Sequence, residues 1–140
     1  MKVKIWIRIA AVLILLHTIG HSFGTFSTAS PNKKIAQITE EMAQNRFMFM
    51  GRSASLAIFF EGYGVALILF LLLSRLLLWF ISTAAETPLG RKLLVLNIFF
   101  LTGLTVIEII YCFPFFLTPL AAICTIIAFF KINKSNTLAL

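Results

Sequence analysis

Four long apolar runs, at about 5–26, 53–82, 93–113 and 115–130, constrain this chain more than any other feature. A bilayer core of ~30 Å takes about 20 apolar residues of helix, with a lower limit near 17. The runs meet or approach that length, and polar segments separate them. Sixty per cent of the 140 residues are hydrophobic and only 12% are charged, with no Asp. A soluble domain carries roughly 25% charged residues. A water-soluble fold of this size could not hide so much apolar surface. The reading is one transmembrane domain over residues 1–140, all-α, a four-helix transmembrane bundle with a short amphipathic helix between helices 1 and 2.

The net charge of +7 does not point to nucleic acid. Lys and Arg sit at the ends of the apolar runs, where topology determinants belong, and form no basic stripe with interleaved aromatics. The implied partner is the lipid bilayer. Cys112 and Cys124 form no C-x-x-C pair and lie in or beside apolar stretches, where Cys behaves as a small hydrophobe.

The first run is interrupted by His17, Gly20, His21 and Gly24, and residues 27–32 read as a loop. A basic start, an apolar stretch and Ser27-Thr28-Ala29 also fit a cleaved signal peptide over residues 1–29. Two imidazoles just before the cleavage site argue against it. From Pro31 to Arg52, Ile35, Ile38, Met42 and Phe49 recur at helical spacing with charges on other faces, which predicts an amphipathic helix. The second run spans about 45 Å as a helix, so it must tilt or project. Residues 82–92 form a polar turn, Pro114 breaks the third run, and residues 131–140 read as a short tail.

Four spans put both termini on one side. That side carries Lys2, Lys4, Arg8, Arg91, Lys92, Lys131 and Lys134, with Arg75 close by. The other holds Lys33, Lys34, Arg46 and Arg52. Basic residues favour the cytoplasmic side, so both termini are expected there. Trp6 and Trp79 then fall at the cytoplasmic interface.

Depth follows from a rise of about 1.5 Å per residue. His17 and His21 lie ~18 and ~24 Å along the first helix, Glu61 ~9–12 Å below the outer end of the second, and Glu108 ~22 Å along the third. All four fall in the outer half of the bilayer, and Tyr63 and Tyr111 share their depth. An ionised group at such depth costs several kcal/mol unless it faces the interior and is paired. His17 and His21, four residues apart, share a helix face. Gly20-x-x-x-Gly24 and the glycines flanking Tyr63 suggest close packing that aims the imidazoles at Glu61 and Glu108.

The first reading of this cluster is non-enzymatic: His and Glu fix helix register, or they bind a small ligand or a metal. His17, His21 and Glu61 supply ligand types zinc accepts. A bis-His haem would need a second chain, because one helix face cannot supply both axial ligands. The alternative is an acid–base site acting on a lipid-like substrate or moving protons. A transport version would require a homo-oligomer or another membrane protein. Walker, G-x-S-x-G, H-E-x-x-H and dinucleotide fingerprints are absent, and no cofactor is specified.

Two stretches carry a resemblance. One is His17-Thr18-Ile19-Gly20-His21 with Gly24. The other is Met50-Gly51-Arg52-Ser53, then Phe60-Glu61-Gly62-Tyr63-Gly64 and a Leu-rich run to Leu78-Trp79. Over less than half the chain they resemble a family of small, uncharacterised bacterial four-span integral membrane proteins. In that family an acidic residue usually precedes the Gly-aromatic-Gly by a few positions. Here Ala57 and Ile58 are apolar and Glu61 is adjacent. The resemblance implies the four-span architecture and a bacterial inner membrane, and no activity.

Overall fold

The computed structural model of the protein describes residues 2–27, 32–111 and 116–137. Five helices are formed: α1 (Lys2–Phe26), α2 (Lys33–Gln44), α3 (Leu56–Ala84), α4 (Pro88–Tyr111) and α5 (Leu117–Thr137). A two-stranded hairpin, β1 (Arg46–Phe49) and β2 (Arg52–Ser55), lies between α2 and α3. α1, α3, α4 and α5 are long and apolar enough to cross a membrane. The chain is therefore all-α in class, a multi-pass membrane protein with four spanning helices and a short helix between the first two. Ser27-Thr28-Ala29 as a cleavage site, Cys112 and the Pro114 break fall wholly or partly outside the described residues.

The chain divides into two compact units, residues 1–18 with 70–140, and residues 19–69. In the larger unit each helix buries one seam at alternating spacings of three and four. α1 buries Ile7, Ala10, Ile14 and His17, and α3 buries Leu71, Ser74, Leu78 and Ile81. α4 contributes Leu94, Asn97, Leu101, Leu104 and Glu108, and α5 contributes Thr118, Ala121, Thr125, Ala128 and Ile132. That spacing is the seam of left-handed helix packing. Small residues on α5 allow close approach, as expected where lipid leaves packing and hydrogen bonds to drive association. The polarity is inverted relative to a soluble core. Asn97, Glu108, Thr118 and Thr125 are inside, while Phe99, Phe116 and Phe130 are exposed. Across the α3–α4 contact Ser74 Oγ donates to Asn97 Oδ1 at 3.2 Å, the cross-helix bond that an Asn in an apolar span requires.

The α3–α4 turn is held at its centre. Thr87 is the residue before Pro88, the first residue of α4, and its Oγ1 accepts from Gly90 N at 3.0 Å. This is a Thr N-cap with Pro at the first helical position. The Thr87 N–H and hydroxyl both donate to the Ala84 carbonyl, at 3.0 and 2.7 Å. Gly90 packs directly against that same carbonyl.

The smaller unit departs from the expected continuous helix over residues 31–52. Asn32 caps α2 by accepting from Lys34 N and Ile35 N, and the helix ends at Gln44. Residues 46–49 then pair antiparallel with 52–55, Phe49 opposite Arg52 and Arg46 opposite Ser55. The reversal is a two-residue turn, with Met50 at φ 49° and Gly51 at φ 79°. Two positive φ values define the turn type whose twist matches a hairpin. Phe47 and Phe49 lie on one hairpin face and pack on Phe59 of α3, with ring centroids 6.1 and 5.3 Å apart. The second span accordingly starts at Leu56 and not at residue 53. At the other end of the chain, helix continues through Thr137, into residues that read in the sequence as a short tail; Lys134 in the last turn complements the helix dipole.

Left-handed backbone is unfavourable for methionine, and the Met50 side chain is exposed. Met50→Asn, which tolerates that conformation, should stabilise the hairpin by about 0.5–1 kcal/mol. Slower amide hydrogen exchange across residues 46–55 would register the gain; unchanged or faster exchange would refute it.

Candidate functional site

The buried ionisable centre lies in the larger unit and joins three helices. His17 comes from the α1 seam, Glu108 from the last turn and a half of α4, and Thr118 from the first turn of α5. All three are nearly inaccessible, at 1%, 4% and 0% exposure. His17 Nδ1 lies 2.6 Å from Thr118 Oγ1, and Thr118 Oγ1 donates to Glu108 Oε1 at 3.1 Å. His17 Nε2 and Glu108 Oε1 are 3.7 Å apart, too far for a hydrogen bond. The link therefore runs through the threonine.

A hydroxyl both donates and accepts, so this chain of bonds has two forms. In one, His17 Nδ1–H donates to Thr118, and Thr118 donates to the carboxylate. In the other, a protonated Glu108 donates to Thr118, and Thr118 donates to Nδ1. Reversing both bonds moves one proton between imidazole and carboxyl without moving a heavy atom. The N-terminal turn of α5, an end that favours negative charge, lies beside the carboxylate. Glu108 Oε2 is buried and has no hydrogen-bond partner among the described residues. Leaving a buried acceptor unsatisfied costs about 1–3 kcal/mol, and a site that only locked helices together would be expected to fill it.

The other residues of the expected cluster are placed differently. His21, one turn beyond His17, is half-buried on α1 in the smaller unit. Glu61 is exposed on α3 and makes no ion pair among the described residues. Tyr63 and Tyr111 are 72% and 80% exposed, so neither joins a buried polar layer. Tyr63 instead stacks on Phe59, with centroids 6.5 Å apart. Of the glycines expected to line close contacts, only Gly64 does so, against Thr25. Gly20, Gly24 and Gly62 face open space. Among the described residues no three His, Cys, Asp or Glu side chains gather to hold a metal ion.

Thr118 is the member that sequence reasoning missed. A threonine in the first turn of a helix reads as a cap or a filler. Its signal was position: it opens the span that follows Glu108 and lies only ten residues beyond it. A separate apolar cavity of about 230 Å³ lies between α3 and α4, lined by residues including Leu73, Leu77, Leu93 and Leu96, with Ser74 and Asn97. It contains no member of the triad. Comparison with family profiles, curated proteins and solved structures finds no match for this chain.

Proposed function

We propose that this small multi-pass membrane protein carries a buried proton-binding centre, His17–Thr118–Glu108, whose protonation state is coupled to the packing of α1 against α4 and α5. The observation that supports it is the reversible bond chain from imidazole through hydroxyl to carboxyl, next to an unsatisfied carboxylate oxygen. Imidazole and carboxyl are both groups that can hold or release a proton. The centre is sealed from bulk water, so its exchange reports on helix movement.

The test is infrared difference spectroscopy on the reconstituted protein during an acid–base cycle. A carboxylic-acid carbonyl band that appears and disappears reversibly, and is missing in Glu108→Gln, is the expected result. The absence of any titrating band assignable to Glu108 would sink the reading. A second reading, a static polar lock, is favoured by the complete burial of Thr118. It requires Glu108→Gln to match the native protein in both stability and pH response.

The setting we propose is a bacterial inner membrane with both termini cytoplasmic, in keeping with the family resemblance and the Lys and Arg distribution. Topology reporters fused to either end must then read cytoplasmic. A periplasmic reading at either end overturns the orientation.

A further inference from the structure

One end of the larger unit concentrates cations on aromatic rings. The Arg8 guanidinium of α1 lies 4.8 Å from the centroid of Trp79 on α3, and that of Arg75 lies 5.6 Å from the same ring. Lys131 Nζ of α5 lies 5.3 Å from the Trp6 ring. A shared indole ring attracts each cation but neutralises neither. Residues 1–18 and 70–140 hold eight Lys and Arg and only two acids, Glu86 and Glu108. Glu108 belongs to the His17 centre, and Glu86 is exposed in the α3–α4 turn, where its backbone carbonyl accepts from Arg91. Neither forms an ion pair with Arg8 or Arg75 among the described residues. The Arg8 Nε is buried with no hydrogen-bond partner there.

Two arginines on one ring, one with a buried unused donor, lack an anion. Guanidinium groups present donors in a planar fork that matches phosphate oxygens. Both residues lie toward the loop and terminal ends of apolar helices, where a long basic side chain reaches the headgroup layer. Trp79 is 41% exposed, so a lipid can reach the group. We infer that Arg8, Arg75 and Trp79 form a binding site for the phosphodiester of an anionic glycerophospholipid. The phosphate bridges the two guanidinium groups, and the acyl chains run along the exposed leucines of α3.

Trp6 and Trp79 are the two tryptophans of the chain, so Trp6→Phe leaves Trp79 as the sole reporter. That variant is placed in nanodiscs of phosphatidylcholine containing equal mole fractions of chain-brominated phosphatidylglycerol or chain-brominated phosphatidylcholine. The expected result is preferential quenching by the anionic lipid. The preference should fall about fivefold for each arginine changed to glutamine, the factor that one basic residue near an anionic surface supplies. Arg8→Lys/Arg75→Lys keeps the charge without the fork and should retain part of the preference, which guards against a glutamine variant that fails to fold. Equal quenching by the two lipids overturns the site. So does a preference unchanged in the glutamine variants, which would assign it to other basic residues. Loss of the preference on adding excess inorganic phosphate would identify a free-phosphate site and overturn the lipid assignment.

Discussion

His17→Ala should lower the unfolding free energy in detergent by about 3 kcal/mol, the low end of the range for removing one partner from a buried ionisable pair. The expectation has two parts. Truncating an imidazole that is 1% exposed leaves a cavity at the end of the α1 seam. It also removes the Nδ1 partner of Thr118, leaving the Glu108 carboxyl with Thr118 as its remaining described contact. Side-chain hydrogen bonds between membrane helices average only about 0.6 kcal/mol in double-mutant cycles, so an ordinary polar contact would give a far smaller loss. The cycle His17→Ala, Glu108→Ala and the double variant separates the two. A coupling energy above about 1 kcal/mol identifies a connected centre. Strict additivity would mean that Thr118 does not connect the pair, and both proton movement and the helix lock would lose their basis.

Gly90→Ala should cost a comparable amount, although the change adds a single methyl group. A Cβ at Gly90 would overlap the Ala84 carbonyl and crowd the Thr87 hydroxyl. Both obstacles are fixed. The carbonyl is backbone and already accepts two bonds from Thr87, and the hydroxyl is the cap of α4. Overpacking a rigid site costs about 1–3 kcal/mol or more, and the cap adds about 1 kcal/mol if it is displaced. Thr87→Ala isolates the cap alone, so Gly90→Ala must exceed it in the same denaturation assay. A Gly90→Ala protein as stable as the native one would show that the α3–α4 turn is not built as described.

The four spans were legible because their signal is long and one-dimensional: apolar residues in lipid need no partner to be recognised. The hairpin was not, because residues 46–49 are few and Phe49 extends the helical spacing of Ile35, Ile38 and Met42. What decides it is Gly51 beside a methionine that accepts positive φ, together with the Phe59 ring that the hairpin covers. For the polar residues, rise per residue gave depth but not rotation. Glu61 stands ten residues before Leu71, about 80° round the helix from the buried seam at 100° per residue, and it is exposed. His17 and Glu108 fall on the three-and-four spacing of Ile7, Ala10 and Ile14, and of Leu101 and Leu104. Reading that spacing beside depth would have kept His17 and Glu108 and set Glu61 aside, although His21, one step of four beyond His17, fits it too and is only half-buried. Thr118 depends on a contact 101 residues away in the chain, which local pattern does not encode.

The spanning helices differ in length, and that has a consequence for the membrane around them. α3 has 29 residues, about 43 Å of helix. The apolar stretch of α5, Leu117–Lys134, has 18, about 27 Å. The two differ by about 16 Å, and each ångström of mismatch with the bilayer costs a fraction of a kcal/mol. A bilayer that fits α5 therefore leaves α3 to take up its excess length by tilting or by projecting beyond the hydrocarbon.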